Sequence, residues 1–204
     1  MATNEAVAHA DPGDHETSTG LDNTKLAMWA FLGSECLFFG SMISTYLLYR
    51  NRVLEGPTPH EIYDIPYTSV SSFVLLMSSL TMVLGLSAIQ RGDQRALRSW
   101  LLATAFLGLT FIGGQVYEFT TFVEEGLTLS TSTFGSAFFM LTGFHGAHVT
   151  VGILMLLALY GLSLAGKLET PEGARPVEFI GLYWHFVDIV WIVIFTVVYL
   201  VPTE

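Results

Sequence analysis

The chain contains the stretch FGSAFFMLTGFHGAHVTVGILMLLALYGLS, residues 134–163, in which no Asp, Glu, Lys or Arg interrupts thirty consecutive positions. A transmembrane helix needs about 20 consecutive, mostly apolar residues, so this stretch predicts a helix that crosses a membrane. Four further segments meet the same criterion, and they span residues 26–49, 68–90, 99–120 and 177–201. The sequence therefore predicts an all-α protein, an integral membrane bundle of five transmembrane helices.

The composition agrees with a membrane protein. Of the 204 residues, 51% are hydrophobic and 13% are charged, whereas soluble domains carry about 25% charged residues. The formal net charge of −10, from 18 acids and 8 bases, argues against a nucleic-acid partner, because phosphate neutralisation needs Lys and Arg. Residues 1–24 are predicted to form a polar, acidic N-terminal tail, and residues 25–204 the transmembrane domain.

Basic residues are unevenly distributed between the two sides of the predicted bundle. The side shared by the N-terminus and by the second and fourth loops carries Lys25, Arg91, Arg95, Arg98, Lys167 and Arg175. The opposite side carries only Arg50 and Arg52. Cytoplasmic loops collect Lys and Arg, so we predict that the N-terminus is cytoplasmic and the C-terminus outside.

Ionisable residues inside membrane-spanning segments are costly, and they therefore mark candidate functional positions. At a helical rise of about 1.5 Å per residue, those near mid-depth are Glu35, His145, His148, His185 and Asp188. Two polar residues of the third span, Gln115 and Glu118, lie close to the outer surface. His145 and His148 are three residues apart, as are His185 and Asp188, so each pair is predicted to share one helical face. Their depths and spacing would allow these side chains to meet inside the bundle.

Three interpretations of this polar set are open. The first is a hydrogen-bonded network that fixes helix packing and holds lipid head groups. The second is a proton relay or another ion-handling role, and the third is a metal site. The two Glu-x-x-His motifs of dimetal helical bundles are absent from the sequence, which counts against the third interpretation.

Small and aromatic residues indicate where helices pack against protein. Gly143 and Ala147, four residues apart in the fourth span, match the small-xxx-small pattern of closely packed membrane helices. In the fifth span, Trp184, Asp188 and Trp191 share a face of polar and aromatic character. Such a face is expected to contact protein instead of lipid.

Four stretches, read together, resemble the haem-copper oxidase subunit III family. Residues 33–39 read GSECLFF, similar to the family's Ser-Glu-x-x-Phe-Phe signature, and residues 114–119 read GQVYEF, similar to its Gln-x-Tyr-Glu-aromatic motif. Residues 143–149 read GFHGAHV, close to Gly-Phe-His-Gly-x-His-Val, and residues 183–191 read YWHFVDIVW, close to Tyr-Trp-His-Phe-x-Asp-x-Val-Trp. The motifs occur in the family's order along nearly the whole chain.

The resemblance implies a non-catalytic subunit of a proton-pumping terminal oxidase in the bacterial cytoplasmic membrane, where aerobic respiration reduces dioxygen to water. Haem and copper are then expected in partner subunits and not on this chain, whose expected ligand is phospholipid. Subunit I is the main expected partner, with subunits II and IV. The resemblance also implies that Glu35 is a membrane-buried, carbodiimide-reactive carboxylate near lipid. Glu35, His148 and Asp188 are implied participants in stabilising subunit I, in proton uptake or in oxygen access.

The five spans correspond to the last five of the seven in longer family members, as in compact bacterial forms of cytochrome c and quinol oxidases. We favour cytochrome c as the electron donor because such oxidases are the commoner members, with subunit III of a quinol oxidase as the alternative. Two other classes are less favoured by the motifs. A small proton-coupled transporter and a membrane metalloenzyme would both use the mid-membrane acids and histidines.

Overall fold

A computed structural model describes residues 23–50, 63–169 and 173–201, which contain five long helices. The helices are α1 (Asn23–Tyr49), α2 (Ile65–Gln90), α3 (Gln94–Glu124), α4 (Thr133–Leu164) and α5 (Ala174–Phe195), and a π-helical turn, Thr196–Leu200, continues α5. All five are long and apolar enough to cross a membrane, so the predicted all-α bundle is confirmed. The predicted tail lies outside the described residues except for Asn23 and Thr24, which begin α1.

The loops place a capping side chain in front of three helices. Asp64, Asp93 and Ser132 accept hydrogen bonds of 3.0–3.1 Å from backbone N–H groups in the first turns of α2, α3 and α4. Such caps satisfy N–H groups that a helix leaves unpaired. Gly92, between α2 and α3, has a φ of +75°, a left-handed conformation that glycine adopts readily. The short turn therefore makes α2 and α3 antiparallel neighbours.

Helices α2 to α5 form a closed bundle, and α1 lies outside it. Around the bundle the order is α2, α3, α4 and α5, and α5 packs back onto α2. The remaining helix, α1, packs on the outside of α4 and α5. Only 11% of the apolar stretch of α1 is buried, against 33% to 50% in the other four helices. α1 is therefore a peripheral helix with most of its surface exposed.

Two tryptophans of α5 fill the centre of the bundle. Trp184 and Trp191 are each 1% exposed. Their indole N–H groups donate hydrogen bonds to Ser78 Oγ at 2.9 Å and to Ser72 Oγ at 2.8 Å, both on α2. A buried indole needs such an acceptor. The structure thus places both tryptophans inside the chain's own bundle instead of on its surface.

Close helix packing depends on two glycines that the sequence analysis did not single out. A Cβ on Gly108 would lie 2.7 Å from Cη2 of Trp184, and one on Gly152 would lie 2.8 Å from Cε3 and Cζ3 of the same ring. A Cβ on Gly143 would meet nothing within 4 Å, and Ala147 is exposed. The close packing expected at Gly143 and Ala147 is therefore not found among the described helices, because these residues face out of the bundle. Their contact with another subunit stays a prediction.

Candidate functional site

Glu35 of α1 and His148 of α4 form a pair between the two helices. Glu35 Oε2 lies 3.1 Å from His148 Nε2, and the two side chains are 17% and 20% exposed. His148 Nδ1 lies 2.8 Å from the carbonyl oxygen of Phe144, one turn earlier. Tyr183 of α5 donates its hydroxyl to the carbonyl of His148 at 3.1 Å. The imidazole is therefore fixed through both of its nitrogens.

These contacts determine how many protons the pair holds. A carbonyl oxygen only accepts, so Nδ1 of His148 carries the hydrogen in its bond to Phe144. The contact between Nε2 and Oε2 then requires one further proton. That proton makes either an imidazolium beside a carboxylate or a neutral Glu35 acid that donates to a neutral imidazole. Both arrangements are net neutral, so the pair avoids the net charge that is costly inside a membrane.

The pair lines a cleft of about 540 Å³ between α1, α4 and α5. Glu35, His148 and Tyr183 supply its polar atoms, and the remaining lining side chains, such as Phe31 and Phe144, are apolar. A mostly apolar cleft with a few convergent polar groups is the usual form of a ligand-binding site. We therefore treat this cleft as the candidate functional site.

A second polar cluster joins α2 and α5. Ser79 Oγ lies 3.0 Å from Nδ1 of His185 and is also hydrogen-bonded to Oδ2 of Asp188. Asp188 is 3% exposed, and its Oδ1 has no hydrogen-bond partner among the described residues. His185 and Asp188 thus share a face as expected from their spacing, but that face meets a serine of α2 and not the acids and histidines of α1 and α4.

His145 lies apart from both clusters. Its side chain is fully buried, and within the described part of the chain neither ring nitrogen has a hydrogen-bond partner. The ring stacks on Trp191, with 4.9 Å between centroids. Phe39 and Phe111 meet it edge-on, at 6.4 Å and 6.0 Å. His145 therefore packs as an aromatic core residue.

Gln115 and Glu118 lie together near the C-terminal end of α3. Glu118 is 4% exposed and accepts hydrogen bonds from Thr68 of α2 at 2.7 Å and from Gln115 at 3.0 Å. Tyr63, just before α2, lies with its hydroxyl 3.5 Å from that of Tyr46 in α1. Burial raises the pKa of the Tyr63 hydroxyl well above its ordinary value, so this group stays neutral. These contacts tie together the ends of α1, α2 and α3.

The predicted polar set is thus divided into separate groups instead of meeting in one network. The reason is geometric, since α1 lies outside the bundle and His145 points to a different side of α4 from His148. Among the described residues, no three His, Cys, Asp or Glu side chains are placed to hold a metal ion. Sequence reasoning missed Ser79 and Thr68. The serine pairs at 71–72 and 78–79, seven residues apart, were the available signal, because that spacing repeats on one helical face.

The fold and the site define a multi-pass α-helical membrane protein with an apolar cleft between a peripheral helix and a four-helix bundle. Within that class, the chain belongs to the cytochrome c oxidase subunit III family, whose family model matches residues 5–202. The resemblance carried by the four motifs is thereby confirmed.

Curated relatives cover nearly the whole chain. The chain is 38% identical to the "Quinol oxidase subunit 3" of Bacillus subtilis (strain 168) over 189 residues, which are 93% of this chain and 92% of the relative. It is 37% identical to the "Cytochrome c oxidase subunit 3" of Bacillus sp. (strain PS3) over 201 residues, 98% and 97% of the two chains. It is also 37% identical to the "Cytochrome bo(3) ubiquinol oxidase subunit 3" of Pseudomonas aeruginosa over 187 residues, 92% and 88%. The relatives' names therefore do not favour cytochrome c over a quinol.

Proposed function

We propose that this chain acts as a supporting subunit of a proton-pumping haem-copper terminal oxidase and carries no catalytic centre itself. It stabilises the haem-bearing subunit I and contacts subunits II and IV in a bacterial cytoplasmic membrane, with its N-terminus in the cytoplasm. Family membership along residues 5–202 supports the assignment to the oxidase. The observation that supports a role in lipid binding and proton uptake is the Glu35–His148 pair in its apolar cleft.

The chemistry of the cleft suits a phospholipid. Apolar side chains such as Phe31, Phe144 and Met155 line most of its surface, and they match acyl chains. The Glu35–His148 pair lies at mid-depth, beyond the head groups, and can exchange a proton with water that enters the cleft, because both of its groups alternate between donor and acceptor. Dioxygen is apolar and would partition into the same cleft, so we propose that the cleft also supports oxygen access to subunit I.

Either a cytochrome c or a quinol fits as the electron donor of the proposed complex. Relatives named for each donor are 37% to 38% identical to this chain, so the initial preference for cytochrome c gains no support from them. Purified complex assayed with reduced cytochrome c and, separately, with a reduced quinol distinguishes the two donors. Turnover with one donor and not the other assigns it.

The test of the proposed function is to affinity-tag this chain in its own host, extract the membranes with a mild detergent and record a reduced-minus-oxidised visible spectrum. We expect haem bands together with a larger haem-bearing subunit in stoichiometric amount. The matched control is the same preparation from the untagged strain. A pure chain without haem or partners, from membranes that contain the oxidase, would contradict the proposal and favour a small proton-coupled transporter.

A further inference from the structure

The seam between α2 and α5 carries the hydrogen-bonded chain His185–Ser79–Asp188. We propose that His185 directs an N–H donor outward from this seam, and that the seam docks a transmembrane helix of the haem-bearing subunit which offers a hydrogen-bond acceptor. The inference rests on the proposed function, since it names the surface through which this chain joins the oxidase.

The hydrogen on the outer nitrogen of His185 follows from the bonds of Ser79. A serine hydroxyl has one proton, so Ser79 donates to only one of its two neighbours and accepts from the other. When Ser79 donates to Asp188, Nδ1 of His185 donates to Ser79. When Ser79 donates to Nδ1, a protonated Oδ2 of Asp188 donates to Ser79, and the remaining nitrogen, Nε2, carries the imidazole hydrogen.

The net charge of the cluster determines whether Nε2 of His185 carries a hydrogen. With Asp188 ionised, a net neutral cluster needs a cationic His185, and Nε2 carries a hydrogen. With Asp188 protonated at Oδ2, Nε2 again carries the hydrogen. A proton at Oδ1 is unfavourable, because this buried oxygen has no acceptor among the described residues and an unpaired buried donor is costly. Both favourable neutral arrangements therefore present an N–H from Nε2.

Lipid cannot accept this hydrogen bond. At a rise of about 1.5 Å per residue, His185 lies about 17 Å from Ala174 and about 23 Å from Leu200, the ends of the fifth span. The hydrocarbon core is about 30 Å thick, so His185 lies more than about 10 Å from the ester carbonyls on either side. Acyl chains offer no acceptor, and an unpaired polar group is strongly unfavourable there. An acceptor supplied by a protein helix removes that penalty.

The surroundings of His185 fit a helix. His185 is half-buried, and within the described part of the chain Nε2 has no hydrogen-bond partner. Exposed apolar side chains flank it along the seam, Leu76 and Val83 from α2 and Ile189 and Ile192 from α5. The peripheral helix α1 packs on the α4–α5 side of the bundle and leaves this seam uncovered. A polar centre within an apolar seam matches membrane helix association through an interhelical hydrogen bond.

Two amide substitutions separate an outward role from an internal one. In His185→Gln the amide nitrogen replaces Nε2 and keeps the outward donor, whereas in His185→Asn it replaces Nδ1 and keeps only the contact with Ser79. We expect His185→Asn, and not His185→Gln, to weaken retention of the haem-bearing subunit about tenfold in a detergent titration of the tagged complex. The reverse order would overturn the proposal, because it is the order that a purely internal role predicts.

A crosslink locates the surface directly. Ile189, one turn from His185 and 59% exposed, is replaced by the photoreactive p-benzoylphenylalanine, with Phe106 of α3, 69% exposed, as the matched control. We expect the Ile189 probe, and not the Phe106 probe, to crosslink this chain to the haem-bearing subunit. A different result is a wild-type complex that contains haem while the Ile189 probe crosslinks this chain to lipid, to a second copy or to nothing. That result would overturn this inference alone. Absence of haem from the wild-type complex would overturn the proposed function as well.

Discussion

The interior of the four-helix bundle and the cleft beside α1 both contain a histidine of α4, but they surround it with different groups. His145 points into the bundle, where aromatic rings pack around it and no hydrogen bond from the described residues reaches its nitrogens. His148, three residues later, points toward α1. It forms hydrogen bonds through both nitrogens, to the carbonyl of Phe144 and to Glu35.

The neighbours of an imidazole, and not its residue type, therefore determine its role. An ionised side chain without a partner is too costly for the bundle interior, so His145 stays neutral and contributes packing. The pair in the cleft shares one proton between Nε2 of His148 and Oε2 of Glu35, is net neutral and remains partly exposed. We therefore assign stability to the interior and ionisable chemistry to the cleft.

The largest effect that separates the two regions is expected from Trp184→Ala. The substitution empties the space between Gly108 and Gly152 and removes the donor to Ser78. Loss of a buried tryptophan is expected to lower the free energy of unfolding by about 3–5 kcal/mol. Circular dichroism during titration with sodium dodecyl sulfate measures this change in the free energy of unfolding. Trp29→Ala, at a side chain 61% exposed, is the control, and an equal loss in both variants would contradict the packing assignment.

A smaller effect is expected from adding one methyl group to α4. In Gly152→Ala the new Cβ would lie 2.8 Å from the ring of Trp184, and such overpacking costs about 1–3 kcal/mol. Gly143→Ala on the same helix meets nothing within 4 Å and is expected to change the free energy of unfolding by less than about 0.5 kcal/mol. The same titration measures both variants. An equal loss of unfolding free energy in Gly143→Ala and Gly152→Ala, measured on the isolated chain, would instead support close helix packing at Gly143.

The smallest change in stability is expected in the cleft. In Glu35→Gln an amide N–H can still donate to Nε2 of His148, so the free energy of unfolding should fall by no more than about 1 kcal/mol. The carboxyl group is lost, however, and with it the reaction with dicyclohexylcarbodiimide. Mass spectrometry of labelled and digested protein detects the adduct at Glu35, with Glu118→Gln as the control that leaves this adduct in place. Equal labelling of the peptide containing residue 35 in wild type and Glu35→Gln would contradict the assignment.

The periodic and local features of the fold were predictable from the sequence. Long, mostly apolar runs with few charged residues identified all five spans, because a bilayer disfavours charge and unpaired backbone groups over a fixed thickness. The motifs at 33–39, 114–119, 143–149 and 183–191 identified the family. Spacing of three residues predicted the common partner of His185 and Asp188, since both contact Ser79. The same spacing did not predict that His145 and His148 have different surroundings.

The partners of each polar side chain depended on distances between helices that sequence spacing does not contain. Glu35 pairs with His148, whereas Asp188 pairs with Ser79, because α1 lies outside the bundle and α5 packs against α2.

The class of protein, the number of spans and the family follow from the sequence alone, since each depends on composition or on local motifs. The packing of the helices is needed to show that Gly108 and Gly152, and not Gly143, receive the ring of Trp184. The same packing places His145 in the core and His148 in the cleft. Side chains project from every side of a helix, and the position of the neighbouring helices determines which of them are buried, paired or exposed.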